Sequence, residues 1–149
     1  MRRNFLWINF VLASIIVVGV FVQAYLIASY TIGAGDDALD AHGFVGGLVI
    51  HLSELLVFLT AFGAWPRQWK WIGFCFSLFV VGTVQIFLLP EDSDTVSSSA
   101  AWVHGLHGLL ALFVLVMAAI IAHRGMRELG LRRASRGGDA DTAPPPPLP

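Results

Sequence analysis

The stretch FLWINFVLASIIVVGVFVQAYLIASYTI, from Phe5 to Ile32, contains no Asp, Glu, Lys or Arg. An α-helix rises about 1.5 Å per residue, so this stretch exceeds the ~20 residues that cross a hydrocarbon core about 30 Å thick. Arg2 and Arg3 precede it, as at the start of a signal peptide, but a signal core has roughly 7–15 apolar residues. The sequence therefore predicts a retained transmembrane helix.

Three further apolar blocks follow, and we predict spans at about residues 5–32, 42–64, 70–89 and 101–123. The chain is 56% hydrophobic and 13% charged, whereas soluble domains are roughly 45–50% apolar and about 25% charged. Unpaired backbone groups cost several kcal/mol each in lipid, so each crossing is expected to be helical. The predicted fold is an all-α integral membrane protein, a four-transmembrane-helix bundle whose surroundings are the lipid bilayer.

The charged residues separate the two sides of this bundle. All nine Lys and Arg residues lie at residues 2–3, 67–70 and 124–136, whereas the other two loops carry acidic residues at 36–40 and 91–94. By the positive-inside rule, both termini are predicted to be cytoplasmic, in a bacterial-type cytoplasmic (inner) membrane. Residues 1–4 then form a cytoplasmic N-terminus, and 124–149 a basic and then Pro-rich disordered cytoplasmic tail. The net charge of -1 does not favour nucleic acid as a partner.

The second predicted loop is rich in tryptophan. Trp65, Trp69 and Trp71 surround Arg67 and Lys70, a composition typical of an interfacial belt at headgroup depth. We therefore expect a tight cytoplasmic hairpin whose indole rings lie at the membrane surface.

Ionisable side chains inside a span are costly, which makes each a functional candidate. They are His42, His51 and Glu54 on the second span, and His104 and His107 on the fourth. At about 100° per residue, His104 and His107 share a helix face, as do His51 and Glu54. His42 and His51 are expected on opposite faces, so one cofactor is not expected to bind both.

Small residues flank these histidines. Gly43 and Gly47 form a G-x-x-x-G pair, and Gly105 and Gly108 lie beside the fourth-span histidines. Such stripes allow close helix approach or leave room for a flat ligand. We expect the second and fourth helices to face one another near the outer surface. Gly43 and Gly47 are also the predicted surface for a helix–helix partner or a second copy of the chain.

The leading functional hypothesis is haem b held between the second and fourth spans, because inward-projecting axial histidines are how helical bundles hold this cofactor. His42 with His107 or His104 is the preferred pair of ligands to the haem iron. His51 with His107 is a looser alternative. The protein would then be a haem-binding or redox-associated membrane protein.

Several alternatives stay open at this point. The histidines could bond across helices as structural contacts. His42, His104 and His107 could also bind a metal ion together with a loop aspartate such as Asp40. Gln23 and Gln85 could bond a neighbouring helix, a haem propionate or a quinone carbonyl. No motif of a soluble enzyme occurs, so a catalytic role is not predicted. A non-enzymatic accessory subunit of a larger membrane complex is the main alternative function, followed by a small proton-coupled transporter using His51 and Glu54.

The same residues carry a family resemblance. A histidine at the outer end of the second span, a glutamine late in the third and a leucine–histidine pair opening the fourth resemble an uncharacterised family (a domain of unknown function) of small four-span bacterial membrane proteins. His42, Gln85 and Leu106-His107 match these positions. The resemblance covers about residues 10–123.

Two positions depart from the family pattern. Gly43 stands where the family has an arginine, and Leu110 where an asparagine often follows the second histidine. The resemblance singles out His42 and His107 over the other two candidate histidines, and it implies no function. At the level of fold, the arrangement also resembles the haem-binding bundles of b-type cytochromes.

Overall fold

The structure, a computed structural model, describes residues 1–88 and 98–131, except for the side chains of residues 98–100 and 104. Nearly all of this part is helical: α1 is Arg2–Thr31, α2 is Asp36–Phe44, a π-helical segment is Val45–Ile50, α3 is His51–Ala64, α4 is Trp69–Ile86 and α5 is Ser98–Glu128. α2, the π-helical segment and α3 are continuous. Together they form the second candidate membrane span, Asp36–Ala64. The predicted acidic loop at 91–94 and residues 132–149 of the predicted tail lie outside the described residues.

Four helices are long and apolar enough to cross a membrane, with mean hydropathies of 2.6, 1.9, 1.4 and 2.5 in chain order. The prediction of an all-helical chain with four such helices is confirmed. The second helix begins at Asp36, earlier than predicted, because Asp36 and Asp37 favour the positive end of the helix dipole. The fourth continues to Glu128, because this carboxylate pairs with Arg124 one turn before it.

The four spans form a ring in which chain neighbours pack side by side. α1 packs on α3 and α5, and α4 packs on the same two helices. The second and fourth spans are therefore diagonal, and they face one another across the centre of the ring through His42 and His107 and not through close backbone packing. Short connections make consecutive helices adjacent and antiparallel, which leaves the diagonal positions to alternate spans.

The buried core is confined to one half of the bundle. Each helix contributes one stripe with residues three or four apart, as expected for a helix with one packed face. Among the residues whose burial the structure describes, none from 21 to 49 and none from 83 to 113 is fully buried. The core consists of Leu6, Ala13, Ile16, Val20, Ile50, Val57, Ala61, Ala64, Trp65, Ile72, Cys75, Leu78, Val114, Ala118 and Ile121.

The two ends of the bundle thus differ, and we call them the arginine end and the histidine end. The arginine end is where α1 begins and α5 finishes. The histidine end is where α1 finishes and α2 begins. The core fills the half nearer the arginine end, whereas His42 and His107 belong to the other half.

Arg124 closes the arginine end. Its guanidinium carbon lies 4.0 Å from the ring centroid of Trp71 and 5.8 Å from that of Trp65. The same guanidinium donates to Oε1 of Gln68 at 2.6 Å and lies 3.0 Å from a carboxylate oxygen of Glu128. One planar cation therefore joins the end of α5 to the connection between α3 and α4.

The tryptophans of this connection do not all lie at the surface. Trp65 is fully buried, so the expectation that it belongs to an interfacial belt was wrong. The indole packs against Trp71 at a centroid distance of 6.0 Å and lies under the guanidinium of Arg124. Trp69 is 72% exposed, in agreement with the expectation.

We predict that Arg124→Lys lowers the free energy of unfolding by about 1–2 kcal/mol, because lysine keeps the charge but loses the planar stacking on Trp71 and the hydrogen bond from Nη2 to Gln68. Denaturant titration of the purified protein in detergent measures this change. Arg127→Lys is the matched control, since Arg127 is exposed on the same turn of α5. Equal stability of the two variants would contradict the role of the guanidinium.

Candidate functional site

Two histidines meet at the histidine end of the bundle. The ring centroids of His42 on α2 and His107 on α5 are 6.3 Å apart, and their planes are inclined by 49°. Their helices are diagonal in the ring, so the imidazoles reach towards one another across its centre. The structure thus brings together the two histidines that the resemblance singled out.

Each imidazole is oriented by a backbone carbonyl of the preceding span. Nδ1 of His42 lies 3.2 Å from the carbonyl oxygen of Gln23, and Nδ1 of His107 lies 2.9 Å from that of Gln85. Because a carbonyl oxygen can only accept, the proton of each neutral ring is on Nδ1. The lone pair is then on Nε2, which is the tautomer of a histidine that ligates a metal ion through Nε2.

The side chains of the two glutamines complete these contacts. Nε2 of Gln23 donates to the carbonyl oxygen of His42 at 2.9 Å, so this glutamine and histidine bond one another twice. Nε2 of Gln85 lies 3.4 Å from Nε2 of His107, which is a long and weak hydrogen bond. Both helical hairpins therefore hold the histidine ring through the backbone carbonyl of a glutamine, whereas the two glutamine side chains bond different atoms.

The glycines that flank the histidine pair face the outside of the bundle. No heavy atom of the described residues lies within 4 Å of the position that a Cβ would take at Gly43, Gly47, Gly105 or Gly108. Close helix packing over these glycines is therefore not found in the described part of the chain. Because all four glycines are exposed, room for a flat ligand between the histidines stays a prediction, as does the use of Gly43 and Gly47 for a partner.

The second ionisable cluster lies apart from this pair. Glu54 is 1% exposed, and Oε2 of its carboxylate lies 3.0 Å from Nδ1 of His51. The ring of His51 stacks on Phe79 at a centroid distance of 5.2 Å. A Cβ at Gly82 would overlap the carboxylate of Glu54, so the glycine of α4 provides the space that this group occupies.

This cluster gives His51 partners other than His107. The structure does not bring together the looser ligand pair of His51 and His107. Proton handling by His51 and Glu54 stays a prediction.

The π-helical segment sets the relative orientation of these two clusters. In an uninterrupted α-helix, His42 and Glu54 would point about 120° apart, whereas one inserted residue brings them to within about 20°. Both side chains accordingly face the interior of the bundle. The same insertion reduces the angle between His42 and His51 from about 180° to about 80°, so the expectation of opposite faces, which assumed a regular α-helix, was wrong.

The sequence contains a signal for this insertion that periodicity alone does not detect. Gly46 and Gly47 are adjacent, and a Cβ at Gly46 would overlap the amide nitrogen of Gln23. The π-helical turn therefore places a residue without a side chain beneath Gln23, next to His42.

The remaining candidates do not extend the site. The described residues contain no group of three or more His, Cys, Asp or Glu side chains that could hold a metal ion. The side chain of His104, which the three-histidine metal site requires, lies outside the described part. The pair of His42 and His107 is thus the candidate site.

Comparison of the chain with protein-family models, with curated proteins and with solved structures gave no match. The resemblance to a family of small four-span membrane proteins therefore stays a prediction.

We predict that Gly82→Ala destabilises the protein by about 1–3 kcal/mol, because the added methyl group displaces the buried carboxylate of Glu54. Gly73→Ala is the matched control on the same helix, since open space surrounds Gly73. The control should be as stable as the natural chain or slightly more so, because Ala is the better helix former by roughly 0.8–1.0 kcal/mol.

Thermal unfolding in detergent measures both variants. The double variant Gly82→Ala with Glu54→Ala should recover part of the loss, because the clashing carboxylate is gone. If Gly82→Ala unfolds at the same temperature as Gly73→Ala, the packing of Glu54 against α4 is incorrect.

Proposed function

We propose that this protein is a small haem-binding membrane protein in which His42 and His107 are the two axial ligands of a b-type haem. One observation carries the proposal: two imidazoles on diagonal helices approach one another with both Nδ1 atoms bonded to backbone carbonyls. Two imidazoles bound to one metal ion at about 2.0–2.1 Å have centroids roughly 6–7 Å apart. The distance of 6.3 Å agrees with such a pair.

The sparse packing around the pair supports the proposal. The half of the bundle that contains the pair has no fully buried residue among those described, so a flat apolar ligand would supply the missing contacts. A haem with two imidazole ligands supplies one-electron transfer.

The chain's own residues would orient and tune this ligand. The carbonyl oxygens of Gln23 and Gln85 hold the Nδ1 protons, which fixes each ring and raises the basicity of Nε2. The amide of Gln85 must turn away from Nε2 of His107 when that atom becomes a ligand. The freed amide then becomes available to a polar group of the cofactor.

The reduced-minus-oxidised absorption spectrum of gently purified, fully loaded protein should contain a haem α-band. His42→Ala and His107→Ala should each abolish it, because either change removes one axial ligand. His51→Ala is the matched control and should retain the band, since its ring bonds Glu54 instead. A natural chain without the band would exclude the proposal, and a band that survives both ligand variants would exclude these two ligands.

The orientation that we propose places the arginine end in the cytoplasm and the histidine end on the outer face of a bacterial cytoplasmic membrane. The distribution of Lys and Arg supports this direction. The haem would then lie in the outer half of the bilayer.

Labelling of intact bacterial cells with a membrane-impermeant maleimide tests this orientation. The natural chain has one cysteine, the buried Cys75, and Cys75→Ser provides the background. In that background Asp37→Cys should react in intact cells, whereas Arg127→Cys should react only after the cells are opened. Both positions are exposed. The reverse pattern would show that the direction is inverted.

A further inference from the structure

A carboxylate is enclosed inside the bundle at the boundary of its packed half. Glu54 is 1% exposed, and a Cβ at Gly82 of α4 would overlap its carboxylate. Towards the arginine end, both helices continue with fully buried residues, which are Val57, Ala61 and Ala64 on α3 and Leu78, Cys75 and Ile72 on α4. Towards the histidine end, none of the described residues of α4 after Gly82 is fully buried. The carboxylate therefore lies where close packing ends.

An imidazole bonds this carboxylate on the side of the histidine end. Nδ1 of His51 lies 3.0 Å from Oε2 of Glu54, and His51 precedes Glu54 by one turn of α3. Of the two side chains, that of His51 is 25% exposed and that of Glu54 only 1%. The imidazole therefore connects the enclosed carboxylate with the loosely packed half of the bundle.

The number of protons on the pair sets its net charge. With one proton, placed on Nδ1 of His51, the carboxylate is ionised and the pair has a charge of about -1; a second proton makes the pair neutral. No Lys or Arg among the described residues pairs with Glu54. Because an uncompensated charge in an apolar interior is costly, the neutral form with two protons is favoured.

We propose that Glu54 is a proton-binding site within the membrane, which holds its proton as a neutral carboxylic acid and exchanges it through the imidazole of His51 with the histidine end. Ionisable groups inside membrane spans are where transporters and pumps bind and relay protons. Neither residue is a ligand of the proposed haem, so this site does not depend on that proposal.

Uptake of the proton changes three bonds. In the charged form, Nδ1 of His51 carries a proton and Nε2 has a free lone pair. A proton that arrives at Nε2 forms a new N–H bond there, the Nδ1–H bond breaks, and its proton forms the O–H bond of Glu54. The imidazole stays neutral, and the carboxyl O–H now donates to Nδ1. Release of the proton reverses these steps.

The elements packed against α3 add no second titratable contact to Glu54 in the described part of the chain. These elements are α1, α4 and the π-helical segment, and the last contains no titratable residue. Cys75 of α4 lies seven residues before Gly82, which is about 10 Å along the helix. The other titratable side chains of α1 and α4 lie towards the ends of the bundle: Arg2, Arg3, Tyr25, Tyr30 and Lys70. Exchange through His51 is therefore the route that the contacts support.

Infrared spectroscopy of the full chain in detergent at neutral pH tests the protonation of Glu54. Exposed carboxyl groups are ionised at this pH, so a carbonyl-stretch band of a protonated carboxylic acid should come from an enclosed group. The natural chain should have this band, and Glu54→Gln, which preserves the shape of the side chain, should lack it. Glu128→Gln is the matched control and should retain it, since Glu128 pairs with Arg2 and Arg124. A natural chain without the band, or a band that survives Glu54→Gln, would overturn the proposal.

The rate at which the band shifts after transfer to D₂O tests the route. His51→Phe should keep the band but slow its shift at least about tenfold, because phenylalanine can stack on Phe79 but cannot carry a proton. Thr60→Val is the matched control towards the arginine end, where Oγ1 of Thr60 accepts a hydrogen bond from Asn9, and it should leave the rate unchanged. An unchanged rate in His51→Phe, or a slower shift in Thr60→Val alone, would refute exchange through His51.

Discussion

The π-helical turn at Val45–Ile50 is the constraint on which the rest of the structure depends. By adding one residue to the second span, it turns His42 and Glu54 towards the same interior space. It also places Gly46 beneath Gln23, which allows that side chain to bond His42. The histidine pair and the buried carboxylate therefore follow from one local departure from α-helical geometry.

Stability and the candidate site are separated along the bundle axis. The half nearer the arginine end contains the buried stripes and the cluster around Arg124, so it supplies most of the packing that holds the four helices together. The half at the histidine end is joined mainly by polar contacts between neighbouring spans, from Gln23 to His42 and from Gln85 to His107. A tightly packed end thus supports an open one, which suits a site that must admit a ligand.

Hydropathy was sufficient to predict four apolar helices, because long uncharged stretches such as Phe5–Ile32 can form few structures other than a helix. The rarity of ionisable groups inside spans made His42 and His107 candidates together with three other residues, and the family resemblance singled out these two. It could not predict the diagonal placement of their helices, which depends on how the whole ring closes. The burial of Trp65 beneath Arg124 could not be predicted from the sequence either, because these two residues lie in different elements and far apart in the chain. The π-helical turn was missed because a regular period was assumed.

The polar atoms at the histidine end include two that have no hydrogen-bond partner among the described residues. Each Nδ1 has a carbonyl partner, which leaves Nε2 of His42 without a hydrogen bond to any described residue. The amide oxygen of Gln23, on the neighbouring helix, also has no hydrogen-bond partner among the described residues. In a hydrocarbon environment no bulk water hydrogen-bonds such groups, so leaving a polar atom without a partner there costs free energy. An imidazole lone pair is a good ligand for a metal ion, which is the chemistry that the proposed haem site would use.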